Sequence, residues 1–94
     1  MSEVNSFVEK LYQYSADRKL SDAEDIIILH MDFLHHASKY DVIDSILYNI
    51  DFNKLHPKIV KSIIYRVGHY SDKIIMRVDF IERAIEFYGK EKLS

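Results

Sequence analysis

Ser21-Asp22-Ala23-Glu24-Asp25-Ile26-Ile27-Ile28-Leu29-His30-Met31-Asp32-Phe33-Leu34 is the stretch whose reading decides the fold. Ser21 and Glu24 have capping-box spacing, which predicts a helix start at 21–22. Acids at 22, 24 and 25 suit the positive end of a helix dipole. Ala23, Ile26, Ile27, Met31 and Leu34 then recur on one side of a helix, and Ile28 and Leu29 widen the stripe. This predicts a helix over about 22–38, central in the fold and packed on more than one neighbour. The alternative is a buried strand over 26–29, since isoleucine runs favour strands. It would need a partner strand, and no other stretch supplies one.

Outward from this segment the helical period continues. Val4, Phe7, Val8, Leu11 and Tyr12 make one apolar stripe, predicting a helix over about 3–17 that breaks at Asp17-Arg18-Lys19-Leu20. Val42, Ile43, Ile46, Leu47 and Ile50 mark a helix over about 40–50, with Asp51-Phe52-Asn53-Lys54 as its exit. Proline is preorganised for the first helical position, so His56-Pro57 predicts a helix start. Ile59, Val60, Ile63, Ile64 and Val67 carry that helix to Gly68, where a left-handed residue is expected to end it. Ser71-Asp72 would place the next start at 72, and the capping-box pattern Asp79-Phe80-Ile81-Glu82 would place it at 79. We expect an irregular stretch over 71–77 and a helix over about 78–88. Its apolar face would be Val78, Ile81, Ile85 and Tyr88, with Ala84 and Phe87 beside it. Gly89 and Lys90-Glu91-Lys92 close the fold. The expected architecture is all-α: one domain over 1–94, a compact bundle of about five short helices forming hairpins, without a sheet.

The chain has 94 residues, 48% apolar and 30% charged, which is globular composition. It lacks cysteine, which excludes disulfides, thiolate metal sites and cysteine nucleophiles. With 2 glycines and 1 proline it has no glycine-rich phosphate cradle. Met1-Ser2-Glu3-Val4-Asn5 has no basic and apolar leader pattern, and the longest apolar run is Ile26-Ile27-Ile28-Leu29. The expectation is a cytoplasmic protein without a membrane role.

The net charge of −2 hides an asymmetry. Residues 1–52 hold 4 Lys/Arg and 10 Asp/Glu, a balance of −6; residues 53–94 hold 9 and 5, a balance of +4. Lys58, Lys61 and Tyr65 share a side of their helix, with Lys54, Arg66 and His69 nearby. Phosphates could bind this region, about 54–77, with Tyr65 stacking on a base. The alternative is a solvated face whose charges complement the acidic half, within one chain or between two.

Candidate chemistry is sparse. Asp32 and His36 are i, i+4 and could offer two metal ligands, and Asp32 with His35 a looser pair, but no third ligand stands at a matching offset. Asp32 supporting a protonated His36, or both facing solvent, is the simpler expectation. His30 lies by the apolar stripe and reads as a hydrogen-bonded core or boundary residue. No serine sits in a nucleophile elbow. Asp22, Glu24 and Asp25 are explained by the helix start, and Asp41 and Asp44 by an acidic first turn or an exposed helix face. No catalytic, cofactor or metal site is expected. Seven tyrosines are too many for so small a core, and Tyr14, Tyr48 and Tyr65 fall at or off the edges of their stripes. Exposed tyrosine is enriched at interfaces.

From Tyr40 onward, Asp41-Val42-Ile43-Asp44-Ser45-Ile46-Leu47, Ile50-Asp51-Phe52-Asn53-Lys54-Leu55-His56-Pro57 and Asp79-Phe80-Ile81-Glu82-Arg83 resemble a group of short, all-helical bacterial and phage-type proteins. The resemblance covers about half the chain. It implies a helical fold and a prokaryotic or phage origin, and brings no activity with it. The functional expectation is a small accessory or regulatory protein that acts by non-catalytic protein–protein contact, with self-association as one form of it. Tyr14, Tyr48, Lys58, Lys61, Tyr65, Arg66 and His69 are the candidate contact residues. The alternative is nucleic-acid binding through 54–77.

Overall fold

The computed structural model describes residues 2–94, the side chain of residue 71 excepted. Five α-helices follow one another: α1 (Glu3–Ala16), α2 (Leu20–His36), α3 (Tyr40–Asn49), α4 (Pro57–Val67) and α5 (Arg77–Tyr88). Short 3-10 segments occupy Phe52–Lys54, Gly68–Lys73 and Lys90–Leu93. No strand occurs among the described residues, so 26–29 is helix, and no helix there is long and apolar enough to cross a membrane.

The helix starts are set by backbone geometry more than by capping side chains. The expected capping box at Ser21 is not used: α2 begins at Leu20, with Lys19 as its N-cap and no side-chain cap. The cause lies in the preceding turn. Arg18 takes a left-handed conformation (φ 58°). Its amide donates to the Ser15 carbonyl at 3.2 Å and the Lys19 amide to the Tyr14 carbonyl at 2.9 Å. This Schellman closure of α1 feeds the chain straight into α2. The same turn recurs after α2, with Ser38 at φ 55° and the Lys39 amide donating to Leu34 at 2.8 Å. Pro57 does open α4, where the His56 ring Nδ1 accepts from the Lys58 amide at 3.1 Å.

Gly68 corrects a second expectation. It is right-handed (φ −61°), so α4 tightens into the 3-10 segment Gly68–Lys73 instead of stopping at a left-handed residue. The last helix starts at Arg77 after Met76, with no side-chain cap, so neither 72 nor the Asp79–Glu82 box is its start. A cap by the Ser71 side chain lies outside the described residues. The buried face of α5 is also rotated from the expected one. Phe80 and Ala84 are buried, while Val78, Ile85 and Phe87 are exposed. Phe80 lies against Phe52 with ring centroids 5.4 Å apart, and the Arg83 guanidinium covers both rings. Tyr88 extends this anchor: its hydroxyl is 2.9 Å from the Phe52 carbonyl and 2.8 Å from that of Leu55. The aromatic dock on the 52–55 link thus decides the phase of α5.

The helices form two rows. α1, α3 and α5 pack in sequence along one row, and α2 packs on α4 in the other. α2 and α4 run parallel, as their cross-contacts advance together. Ser62, midway along α4, meets Glu24 near the start of α2, and Arg66 meets Asp32 further along both. One continuous core fills the space between the rows, built on Leu11, Ile27, Met31, Leu34, Ile43, Ile46, Leu47, Ile63, Val67 and Phe80. Beyond α4, the C-terminal 3-10 segment completes the second row: Leu93 packs against the core and Lys61 Nζ donates to the Ser94 carbonyl at 2.7 Å. Before α2, no segment among the described residues takes the equivalent place.

Candidate interaction surface

Three surface regions meet the conditions for a contact site, and their chemistry differs. The first is a cleft of about 360 Å³ between α2 and α4, lined by Glu24, Ile28, Lys58, Lys61, Ser62, Tyr65 and Arg66. Four of the residues singled out from sequence, Lys58, Lys61, Tyr65 and Arg66, therefore converge. Their charges are partly committed. Lys61 holds the Ser94 carbonyl, and Arg66 lies 3.7 Å from the Asp32 carboxylate. Tyr65 is 69% exposed, and its edge meets the His69 ring at 5.0 Å. His69 itself is fastened by Nδ1 to the Tyr65 carbonyl at 3.0 Å. Of the other candidates, Tyr48 is exposed on α3, outside the cleft lining, and Tyr14 is half-buried against the core.

The histidine and carboxylate pair on α2 is engaged in packing. Asp32 accepts from the Tyr70 hydroxyl and pairs with Arg66, so it does not serve His36. His35 stacks on Tyr70 at 4.1 Å, and its Nδ1 meets the Tyr40 hydroxyl at 2.7 Å. Among the described residues, no three His, Asp or Glu side chains gather as metal ligands.

A wider, shallower cleft of about 620 Å³ is lined by Tyr12, Ser15, Arg18, Lys54 and His56 among others. Its polar atoms secure the backbone. The Tyr12 hydroxyl accepts from the Asp51 amide at 2.8 Å, and Ser15 Oγ accepts from the His56 amide at 2.8 Å. Burial pushes the Tyr12 phenol up. His56 is pushed down, by burial first and then by the cations Arg18, Lys58 and Lys92. Both residues staple α1 to the 51–56 link.

The third region was not visible as a site in the sequence. Leu29 is 71% exposed and Phe33 58% exposed. With Phe7 and Lys10 of α1, and Ile26 and His30 of α2, they line an apolar groove of about 300 Å³. His30 stacks on Phe7 at 4.4 Å; its buried Nε2 has no hydrogen-bond partner among the described residues, with Glu3 3.9 Å away. Burial pushes the His30 ring down, and the Glu3 carboxylate offsets part of this. Of the core or boundary positions expected for His30, the structure shows the boundary one, and among the described residues its Nε2 lacks the expected hydrogen bond. A second apolar strip, Ile75 (86% exposed), Val78 and Ile85, leads into and along α5. The signal for the first strip was the breadth of the α2 stripe. Ile28 borders the cleft with α4, and Leu29 lies past the arc that α1, α3 and α4 cover.

Comparison of the chain with family models, with curated proteins and with solved structures finds no match in any of the three.

Proposed function

We propose that the protein is a non-catalytic, cytoplasmic protein-binding module that acts through the uncovered side of α2. The observation that carries this reading is the pair Leu29 and Phe33, 71% and 58% exposed in the middle of the chain's most apolar helix. Scattered surface apolar residues need no explanation, but a contiguous apolar groove is a feature of interaction sites. The test is affinity capture from the native cell together with size-exclusion and light scattering. Wild type is expected to recover a partner or a second copy, and Leu29→Glu/Phe33→Glu to lose it while keeping its helical signal. A chain that stays monomeric at high concentration and captures nothing overturns the reading.

A second reading has its own observation: Lys58, Lys61, Tyr65 and Arg66 line one cleft, as a polyanion site would need. It ranks lower because Glu24 stands in that cleft and two of the three cations already have acceptors. Fluorescence titration with DNA and RNA at two salt concentrations tests it. Salt-sensitive binding that disappears in Lys58→Glu/Lys61→Glu would bring it to the front.

A further inference from the structure

The uncovered side of α2 has a polarity that identifies its occupant. On a helix with 3.6 residues per turn, Asp22, Asp25, Leu29, Phe33 and His36 fall on one arc, opposite the buried Ile27 and Met31. The burial pattern agrees: all five are exposed, while the side toward α4 and the side toward α1 are partly covered. Leu29 stands at the centre of this arc, both around the helix and along it. Carboxylates occupy the N-terminal end; an imidazole, followed by Lys39, occupies the C-terminal end.

We infer that this face pairs with the same face of a second copy, α2 against α2 in antiparallel orientation, with the two-fold axis close to Leu29. The inference rests on the protein-binding reading and names its partner. An isologous contact requires a surface complementary to itself under a two-fold rotation. Rotation about Leu29 brings Asp22 opposite His36, which can donate to a carboxylate, and within a turn of Lys39. It sets Leu29 against Leu29, with Phe33 one turn away and across from Asp25, and it opposes the two helix dipoles. A parallel pairing would align Asp22 and Asp25 with their own copies. The other apolar strip is a poorer counterpart, because exposed Glu82 and Glu86 flank Val78 and Ile85, and α2 would bring its own acids to them. A contact made chiefly by one helix from each copy is small, so the association is expected to depend on concentration.

The absence of cysteine permits a direct test on the full chain. Sedimentation velocity over a concentration series should show the mass rising toward twice the chain mass. Leu29→Glu should weaken the dimer at least about tenfold with an unchanged far-ultraviolet spectrum. Under mild oxidation, Leu29→Cys should form a covalent dimer much faster than Val78→Cys, which is comparably exposed on the other strip. Asp22→Cys and His36→Cys should each remain mostly uncrosslinked alone and crosslink when mixed. Asp22→Cys joining to itself as fast as the mixture would overturn the antiparallel arrangement, and Val78→Cys matching Leu29→Cys would overturn the choice of face. A wild type that stays at monomer mass overturns the second-copy inference. If that monomer still captures a different protein in a Leu29-dependent way, the broader protein-binding reading survives; if it captures nothing, both fall.

Discussion

The row of α2 and α4 carries apolar side chains at both of its ends, and among the described residues a further segment of the chain lies against its α4 end but not against the outer side of α2. At the C-terminal end, α4 is followed by the segment Lys90–Leu93, and α5 is pinned to the 52–55 link by Phe80, Arg83 and Tyr88. At the N-terminal end, α2 has α1, α3 and α4 beside it and none of the described residues on its outer side, so Leu29 and Phe33 are exposed. The difference teaches that position in the stack, not residue type, decides whether an aromatic side chain stabilises the fold or remains free for contact.

Two phenylalanines break this comparison most forcefully. Phe80 is fully buried and Phe33 is 58% exposed. Phe80→Ala should cost about 3–5 kcal/mol through lost burial and a residual cavity. That is much of the stability expected of a domain this size, about 5–10 kcal/mol, so Phe80→Leu, a smaller truncation, serves as the measurable companion. Phe33→Ala should stay within about 0.5 kcal/mol when measured dilute. Urea unfolding monitored by circular dichroism gives both values; equal losses would mean that Phe33 is packed after all.

Tyr88 sharpens the closed end. Its single hydroxyl proton is shared between the Phe52 and Leu55 carbonyls, and Tyr88→Phe should cost about 1 kcal/mol. Burial, with a smaller contribution from the Asp51 carboxylate, pushes the phenol up to about 12. In the unfolded chain it ionises near its ordinary 10. The stability tied to this shift is therefore full below pH 10 and is lost as pH rises through about 12. Unfolding midpoints between those pH values should fall less steeply in Tyr88→Phe than in wild type. Tyr12, also raised by burial, accounts for part of the slope that remains.

What could be read from the sequence divides along the same physical line. Periodicity located all five helices within a few residues, because each must turn one apolar face inward. It placed Lys58, Lys61, Tyr65 and Arg66 on neighbouring positions of α4, and the structure brings them to one cleft. It missed the start of α2, since a left-handed arginine carries none of the glycine signature of such a turn. It set α5 in the wrong phase, because Val78 and Ile85 are as apolar as Phe80 and only the distant Phe52 decides between the faces. Leu29 went unrecognised for a related reason: a broad apolar stripe does not reveal which side lacks a neighbour.

The two turns that flank α2 give a smaller prediction. Arg18 and Ser38 hold left-handed conformations at φ 58° and 55°, which side chains with a Cβ adopt at a cost. Glycine adopts them freely but loses more entropy on folding. Arg18→Gly and Ser38→Gly should each stabilise the chain by about 0.5 kcal/mol. A loss at either site in urea titrations would show that the replaced side chain contributes contacts worth more than its backbone cost.

His30 supplies the finest discrimination at the open end. Its ring rests on Phe7 with a buried Nε2 that no group among the described residues satisfies, and burial pushes its ionisation below the ordinary 6.5 despite Glu3. A histidine lowered in the folded state favours unfolding in acid, because the unfolded chain takes up the proton first. Its contribution is present above pH 6.5 and is lost as pH falls through the lowered value. His30→Phe keeps a ring against Phe7 and removes the titrating group. It should flatten the stability profile just below pH 6.5 and leave pH 7 stability unchanged or slightly higher, since an unsatisfied buried nitrogen has been replaced by carbon. An unchanged acid slope would show that the His30 ring does not set it, and would leave the α1–α2 groove without a role in the acid sensitivity of the open end.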